Sequence, residues 1–123
     1  MNNHGEELRA YIVVNTDAKM GKGKAAAQVG HATMNITEHL LTSTQADRTL
    51  YYKYKRNGMP KIVLGANLEI MNKLECSYPN VFPIRDSGRT QVEPGTLTAI
   101  GFLPMTDLEK DRFYPELKLL KLF

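Results

Sequence analysis

An apolar tetrad, Tyr11-Ile12-Val13-Val14, runs almost directly into Asp17-Ala18-Lys19-Met20-Gly21-Lys22-Gly23-Lys24 and then into Ala25-Ala26-Ala27-Gln28-Val29-Gly30-His31. The tetrad predicts a buried strand, and the alanines predict a helix start. Between them lies a loop with two glycines and three lysines. Unpaired backbone amides at a helix start carry partial positive charge, and three ammonium groups add to that field, so the loop suits an anion. At about 100° per residue, Lys24, Gln28, His31, Asn35 and Glu38 fall on one narrow stripe of the helix. Ala25, Val29, Ala32 and Ile36 form an apolar face on one side, and Ala27, Gly30, Met34 and Leu41 form a second on the other. A polar seam between two packing faces is how a helix presents groups into a cleft. The other reading makes the stripe the solvated face and buries the threonines Thr33, Thr37 and Thr44 instead. Periodicity alone leaves both open.

The rest of the chain repeats this alternation. Helices are expected over about residues 22–43 and 45–56, the second with Leu50, Tyr51 and Tyr54 inward and with Gly58 and Pro60 closing it. Lys61–Gly65 reads as a second buried strand. Asn67 caps a third helix carrying Leu68, Ile70, Met71 and Leu74, which ends at Pro79. Val81–Arg85 is a strand near an edge, since Pro83 cannot donate to a ladder. Asp86-Ser87-Gly88 and Pro94-Gly95 are turns, the latter of type II, before a last strand from Thr96 to Phe102. Asp107–Phe113 reads as a short helix. The closing Leu117-Lys118-Leu119-Leu120-Lys121-Leu122-Phe123 is apolar enough to pack on the body or on another subunit. The pattern is that of an α/β layered fold, with helices on both faces of a mixed sheet. The loops after the first and third strands, with Lys19–Lys24 and Asp86–Thr90, are expected at one end of the sheet, where such folds gather ligands.

A chain of 123 residues is one domain, read here as a flexible tail over residues 1–9 and a single domain over 10–123. The net charge of +3 is mild, but the basic residues cluster at Lys19, Lys22 and Lys24, at Lys53, Lys55 and Arg56, and at Arg85 and Arg89. Such clusters suit a polyanionic partner or are merely solvated surfaces. Cys76 is the only cysteine, which excludes an internal disulfide and a cysteine zinc site and suits a reducing, cytoplasmic setting. A nucleophilic Cys76–His31 pair competes with a simply packed thiol. No apolar run approaches the roughly twenty residues of a membrane span, and residues 1–7 lack the apolar centre of a secretion signal. Gly21-Lys22-Gly23-Lys24-Ala25-Ala26 matches the dinucleotide-binding fingerprint, but residues 31–56 read as helix where a second strand is required. Ala18 and Ala25 break a P-loop, and His31 and His39, eight apart, do not sit as metal ligands one turn apart would. No cofactor and no metal are expected.

Taken together, Lys19–Lys24 continuing into Gln28 and His31, then Pro60-Lys61-Ile62-Val63, then Asp86-Ser87-Gly88-Arg89-Thr90-Gln91-Val92-Glu93-Pro94-Gly95-Thr96-Leu97-Thr98 resemble the type 2 peptidyl-tRNA hydrolases. The resemblance extends from Tyr11 to the apolar tail. It implies a three-layer α/β/α fold with a mixed four-stranded sheet, commonly a homodimer, and hydrolysis of the ester joining a peptide to the 3′ end of tRNA. The family often has arginine where Asn15 stands, alanine where Ser87 stands, and Gly-x-Gly-Pro where Gly101-Phe102-Leu103-Pro104 stands. The resemblance points to Lys24, Gln28, His31, Asp86, Thr90 and Thr98 as the site. In that reading Asp86 is the base that orients water, and Thr90 and Thr98 help hold water or carbonyl. Lys24 and Gln28 stabilise the oxyanion or the terminal ribose and phosphate, and Lys19, Lys22, Arg89 and Gln91 contribute to binding the peptidyl-tRNA. His31 is the alternative base, histidine being the side chain that ordinarily titrates near neutrality. Two competing readings are a non-catalytic module binding tRNA or a protein, and a nucleotide-binding enzyme.

Overall fold

The protein is described here from a computed structural model, covering residues 7–88 and 92–123. Ten elements follow one another. They are β1 (Ala10–Asn15), α1 (Lys22–Thr42), α2 (Gln45–Arg56), β2 (Lys61–Ala66), α3 (Leu68–Ser77), β3 (Val81–Arg85), β4 (Leu97–Phe102), α4 (Asp107–Phe113), a 3-10 turn (Pro115–Leu119) and β5 (Lys121–Leu122). The strands form one sheet in the order β3-β4-β1-β2-β5. β1 and β2 are parallel, with Tyr11 opposite Ile62 and Val13 opposite Leu64, while β1–β4, β3–β4 and β2–β5 are antiparallel. The mixed sheet is therefore as expected, and Pro83 lies on the edge strand β3. The fifth strand was not. Two residues of the apolar tail pair with Leu64 and Gly65, so β5 covers the far edge of the sheet. Two residues carry too little period-2 pattern to be read as a strand.

β1 is buried along its whole length because it is central and both its faces are covered. Tyr11 and Val13 face a core with Met71 and Leu74 of α3 and Leu117 of the tail. Ala10, Ile12 and Val14 face the other core, with Ala32 of α1 and Tyr54 of α2. Burying each such branched or aromatic side chain contributes about 1.5–3 kcal/mol, which is why the alternating register of β1 sets the two helical layers. Leu8 and Arg9, in the stretch read as tail, are packed: Leu8 is buried and its amide donates to Asn57 Oδ1 at 3.1 Å. Arg9 pairs with Asp107 at 3.3 Å. Asn67 caps α3 through the Ile70 amide, as its sequence suggests, and Thr106 and Glu109 close a reciprocal capping box on α4.

α1 divides the two helical readings between them. Ala25, Gln28, Ala32, Ile36 and Leu40 are buried against the sheet, so the first apolar face packs as expected. The second does not: Ala27, Gly30 and Leu41 are exposed and Met34 is 70% exposed. The polar stripe thus lies along the margin between a buried face and an open apolar one. A wheel shows which residues share a face but not which face a neighbour covers.

Candidate active site

β1 and β3 run in the same direction, both being antiparallel to β4, so the loops following them meet at one end of the sheet. There Lys24 Nζ, in the first turn of α1, donates a hydrogen bond to Asp86 Oδ1, 62 residues away. The Gly88 amide donates to Asp86 Oδ2 at 2.7 Å. The backbone of Asp86 is tied as well: its N–H donates to the Thr96 carbonyl at 2.9 Å and its carbonyl accepts from Gly95 N–H at 2.8 Å. Two glycines make this possible. Gly95 (φ +81°) is the third residue of the type II turn closed by Thr96 N–H to Glu93 carbonyl. Gly88 also has φ +81°, and a Cβ there would stand 2.4 Å from the Pro94 ring. The hydrogen bond from Lys24, reinforced by that of Gly88, holds the Asp86 carboxyl below the usual carboxylate range, against the opposing effect of its burial.

A cleft of about 520 Å³ opens between α1 and β3, walled by Lys24, Gln28, His31 and Asn35 on one side and by Pro83 to Ser87 on the other. Four of the five stripe residues line it. The fifth, Glu38, lines its continuation, which shares Asn35 and Pro83 and runs on past His39 and Phe82. α1 carries Lys22 and Lys24 but no acidic residue in its first turn. Cations there oppose the helix macrodipole, so the turn is arranged for anions brought to it, Asp86 being the resident one.

Gln28 is buried, and its Nε2 donates to Thr98 Oγ1 at 2.7 Å. The single hydroxyl proton of Thr98 goes to the Ile84 carbonyl at 3.1 Å. Thr98 can therefore only accept from Gln28, which orients the amide, leaving the Gln28 oxygen to face away from Thr98. Thr98 itself is 0% exposed, and its one hydroxyl proton is committed to Ile84. It is not among the residues that line the cleft, and its contact with that wall is the hydrogen bond from Gln28.

Asn15, which the sequence marks only as a departure from the family, organises the loop. Its Nδ2 donates to the Leu97 carbonyl at 2.8 Å, and its Oδ1 accepts from Asp17 N–H at 2.8 Å and Ala18 N–H at 3.3 Å. Asp17 Oδ2 in turn accepts from Leu68 N–H at 3.0 Å, at the start of α3. An asparagine ending a strand before Thr-Asp is itself a turn signal, and it makes the Asx-type bond such a signal implies. Arg85 was expected only within a basic cluster. It lines the cleft while paired with Glu75 at 2.7 and 2.9 Å.

Of the remaining expected residues, Lys19 lies across the Asp86 turn in a second cleft, and Lys22 is exposed outside both. Arg89, Thr90 and Gln91 lie outside the described residues. Lys53, Lys55 and Arg56 occupy the last turn of α2, where they complement the negative end of the helix. Cys76 is exposed on α3 and lines neither cleft, so nothing pairs it with His31. Among the described residues, no three His, Cys, Asp or Glu side chains converge as a metal site.

The fold is that of an α/β protein with a carboxylate held by an ammonium and a backbone amide at the open end of a mixed sheet. The chain belongs to the peptidyl-tRNA hydrolase PTH2 family, whose pattern matches residues 8–120. It is 41% identical over 116 residues to a peptidyl-tRNA hydrolase of Sulfurisphaera tokodaii, covering 89% of this chain and 95% of the relative. Peptidyl-tRNA hydrolases of Saccharolobus solfataricus and Saccharolobus islandicus (strain L.S.2.15 / Lassen #1) are 35% and 37% identical over 119 residues, covering 92% of this chain and 99% of each relative.

Proposed function

We propose that Asp86 orients the water that cleaves the ester of peptidyl-tRNA, and that Lys24 and Gln28 position the substrate around it. The reaction itself follows from the family: the chain is a peptidyl-tRNA hydrolase. The Lys24–Asp86 pair at the head of the cleft is the observation that carries the residue assignment. Water adds to the ester carbonyl carbon, its proton drawn toward Asp86. The ammonium of Lys24 faces the negative charge that develops on the carbonyl oxygen. Collapse breaks the bond to the ribose 3′ oxygen, which takes up one of the water's two protons, and the new carboxyl group gives up the other to solvent and leaves as a carboxylate. The oriented Gln28 amide offers hydrogen bonds to ribose hydroxyls. A carboxyl held well ionised is a poor proton sink, so Asp86 acts mainly by accepting a hydrogen bond from the attacking water. His31 lines the same cleft and is the second candidate for the proton.

A purely binding role on the same fold is not favoured, because the family pattern and the similar proteins are those of peptidyl-tRNA hydrolases. The open Met34 and Leu41 face of α1 suits a second copy of the chain, which makes a homodimer our expectation. The cytoplasm, where translation takes place, is the expected compartment. Among the described residues, no helix is long and apolar enough to cross a membrane. The test is release of peptide from a purified peptidyl-tRNA, with and without chelator, by wild type and Asp86→Ala. We expect chelator-insensitive release that falls at least about tenfold in the variant, a loss above roughly 1.4 kcal/mol in transition-state stabilisation. Full activity in a folded Asp86→Ala variant would remove the assignment.

A further inference from the structure

We infer that the two arms of the substrate part at Asp86, and that the peptide arm enters the second cleft, on the far side of the Asp86 turn from α1. This rests on the hydrolase reading above. The second cleft measures about 590 Å³ and is bounded by the loop after β1, the start of α3, and Gly88, Val92, Glu93, Pro94 and Thr96. It adjoins the reacting centre, since two of its walls, Gly88 and Thr96, hydrogen-bond directly to Asp86. An ester between a polynucleotide and a peptide extends in two directions from the carbonyl carbon. A site that attacks it needs an exit for each.

Polarity decides which exit takes which arm. The α1–β3 cleft is lined by Lys24, Gln28, His31, Asn35 and Arg85 beside Asp86, with Lys24 paired to Asp86 and Arg85 to Glu75, and it continues as a groove past Asn35 and Glu38. Walls rich in hydrogen-bonding groups suit the ribose hydroxyls and phosphates of a single-stranded 3′ end. Among the described residues, the walls of the second cleft include Leu68, Val92 and Pro94 beside Asp17, Lys19 and Glu93. Exposed apolar side chains suit a peptide's own side chains. The floor is held still by the Asn15 bonds to Leu97, Asp17 and Ala18 and by the Asp17 bond to Leu68.

Leu68 separates the two assignments, because its side chain is partly exposed at the first position of α3, where serine is accommodated without loss of fold. The measurement is steady-state hydrolysis of two substrates on one tRNA, N-acetyl-leucyl-leucyl and N-acetyl-glycyl-glycyl. Inhibition by deacylated tRNA is measured beside it. Leu68→Ser is expected to raise KM for the leucyl substrate about fivefold, to change that for the glycyl substrate less than about twofold, and to leave inhibition by deacylated tRNA where it was. Leu108→Ser, an exposed leucine on α4, controls for general loss of apolar surface. Equal KM changes for both peptides, no change for either, or weaker inhibition by deacylated tRNA would each overturn the peptide assignment. A wild-type protein that releases neither peptide would overturn the hydrolase reading instead.

Discussion

Thr98→Val tests whether a fully buried hydroxyl governs the reaction through its neighbour. Valine nearly matches threonine in shape, so the substitution removes two hydrogen bonds and opens no cavity. One is the 2.7 Å bond from Gln28 and the other the 3.1 Å bond to the Ile84 carbonyl. At about 1 kcal/mol net for each, stability should fall by about 2 kcal/mol. For a chain of this size that lowers Tm by roughly 8 °C, read by circular dichroism. The amide of Gln28, no longer held, should cost catalysis about tenfold in kcat/KM, or roughly 1.4 kcal/mol. Thr98→Ser keeps the hydroxyl and should recover the rate to within about threefold of wild type. The decisive comparison is with Gln28→Leu. If Thr98 acts only through Gln28, the double variant is no slower than Gln28→Leu alone, because the interaction can be lost only once. Losses that multiply in the double variant would refute the reasoning and give Thr98 a separate role.

Other outcomes follow from the same geometry. Lys24→Ala should slow turnover at least about tenfold with the fold intact, since Asp86 keeps its Gly88 partner; near-wild-type rates would contradict the role given to the ammonium. Gly88→Ala should disable the turn, because it needs φ +81° and drives a methyl into Pro94; an active, equally stable variant would show that the turn yields. KM for peptidyl-tRNA should rise at least about tenfold between roughly 50 and 200 mM salt as counterion release loses its drive, and a flat response would argue against phosphate contacts. Met34→Lys should turn a dimer into a monomer by sedimentation, whereas an unchanged mass would place the interface elsewhere or nowhere.

Much of this was legible in the chain because local periodicity reports what shares a face. The α1 stripe of Lys24, Gln28, His31 and Asn35 does line a cleft, and Pro83 does mark an edge strand. What stayed hidden depends on partners distant in sequence. Periodicity makes Thr98 an ordinary strand threonine, and the family resemblance that singles it out does not give its partner, Gln28, seventy residues earlier. The open face at Met34 and the covered one at Ala32 look alike on a wheel, because burial is decided by the sheet and not by the helix. Asn15 carried a turn signal, but its grip on Leu97 follows from the β1–β4 pairing that no local pattern contains. β5 is set by the edge of β2 rather than by its own two residues.

On the proposed mechanism Asp86, ionised and held by Lys24, directs the water. Its folded pKa is depressed, so it stays charged as pH falls, and the stability that its pairing contributes is lost only when pH drops through that low value. The direct test is kcat/KM for peptidyl-tRNA across about pH 5 to 7.5, repeated in His31→Gln. No acid limb is expected in that window for either protein, because the carboxylate is ionised throughout. A limb with a midpoint near histidine's ordinary value of about 6.5, present in wild type and absent in His31→Gln, would contradict it and make His31 the base.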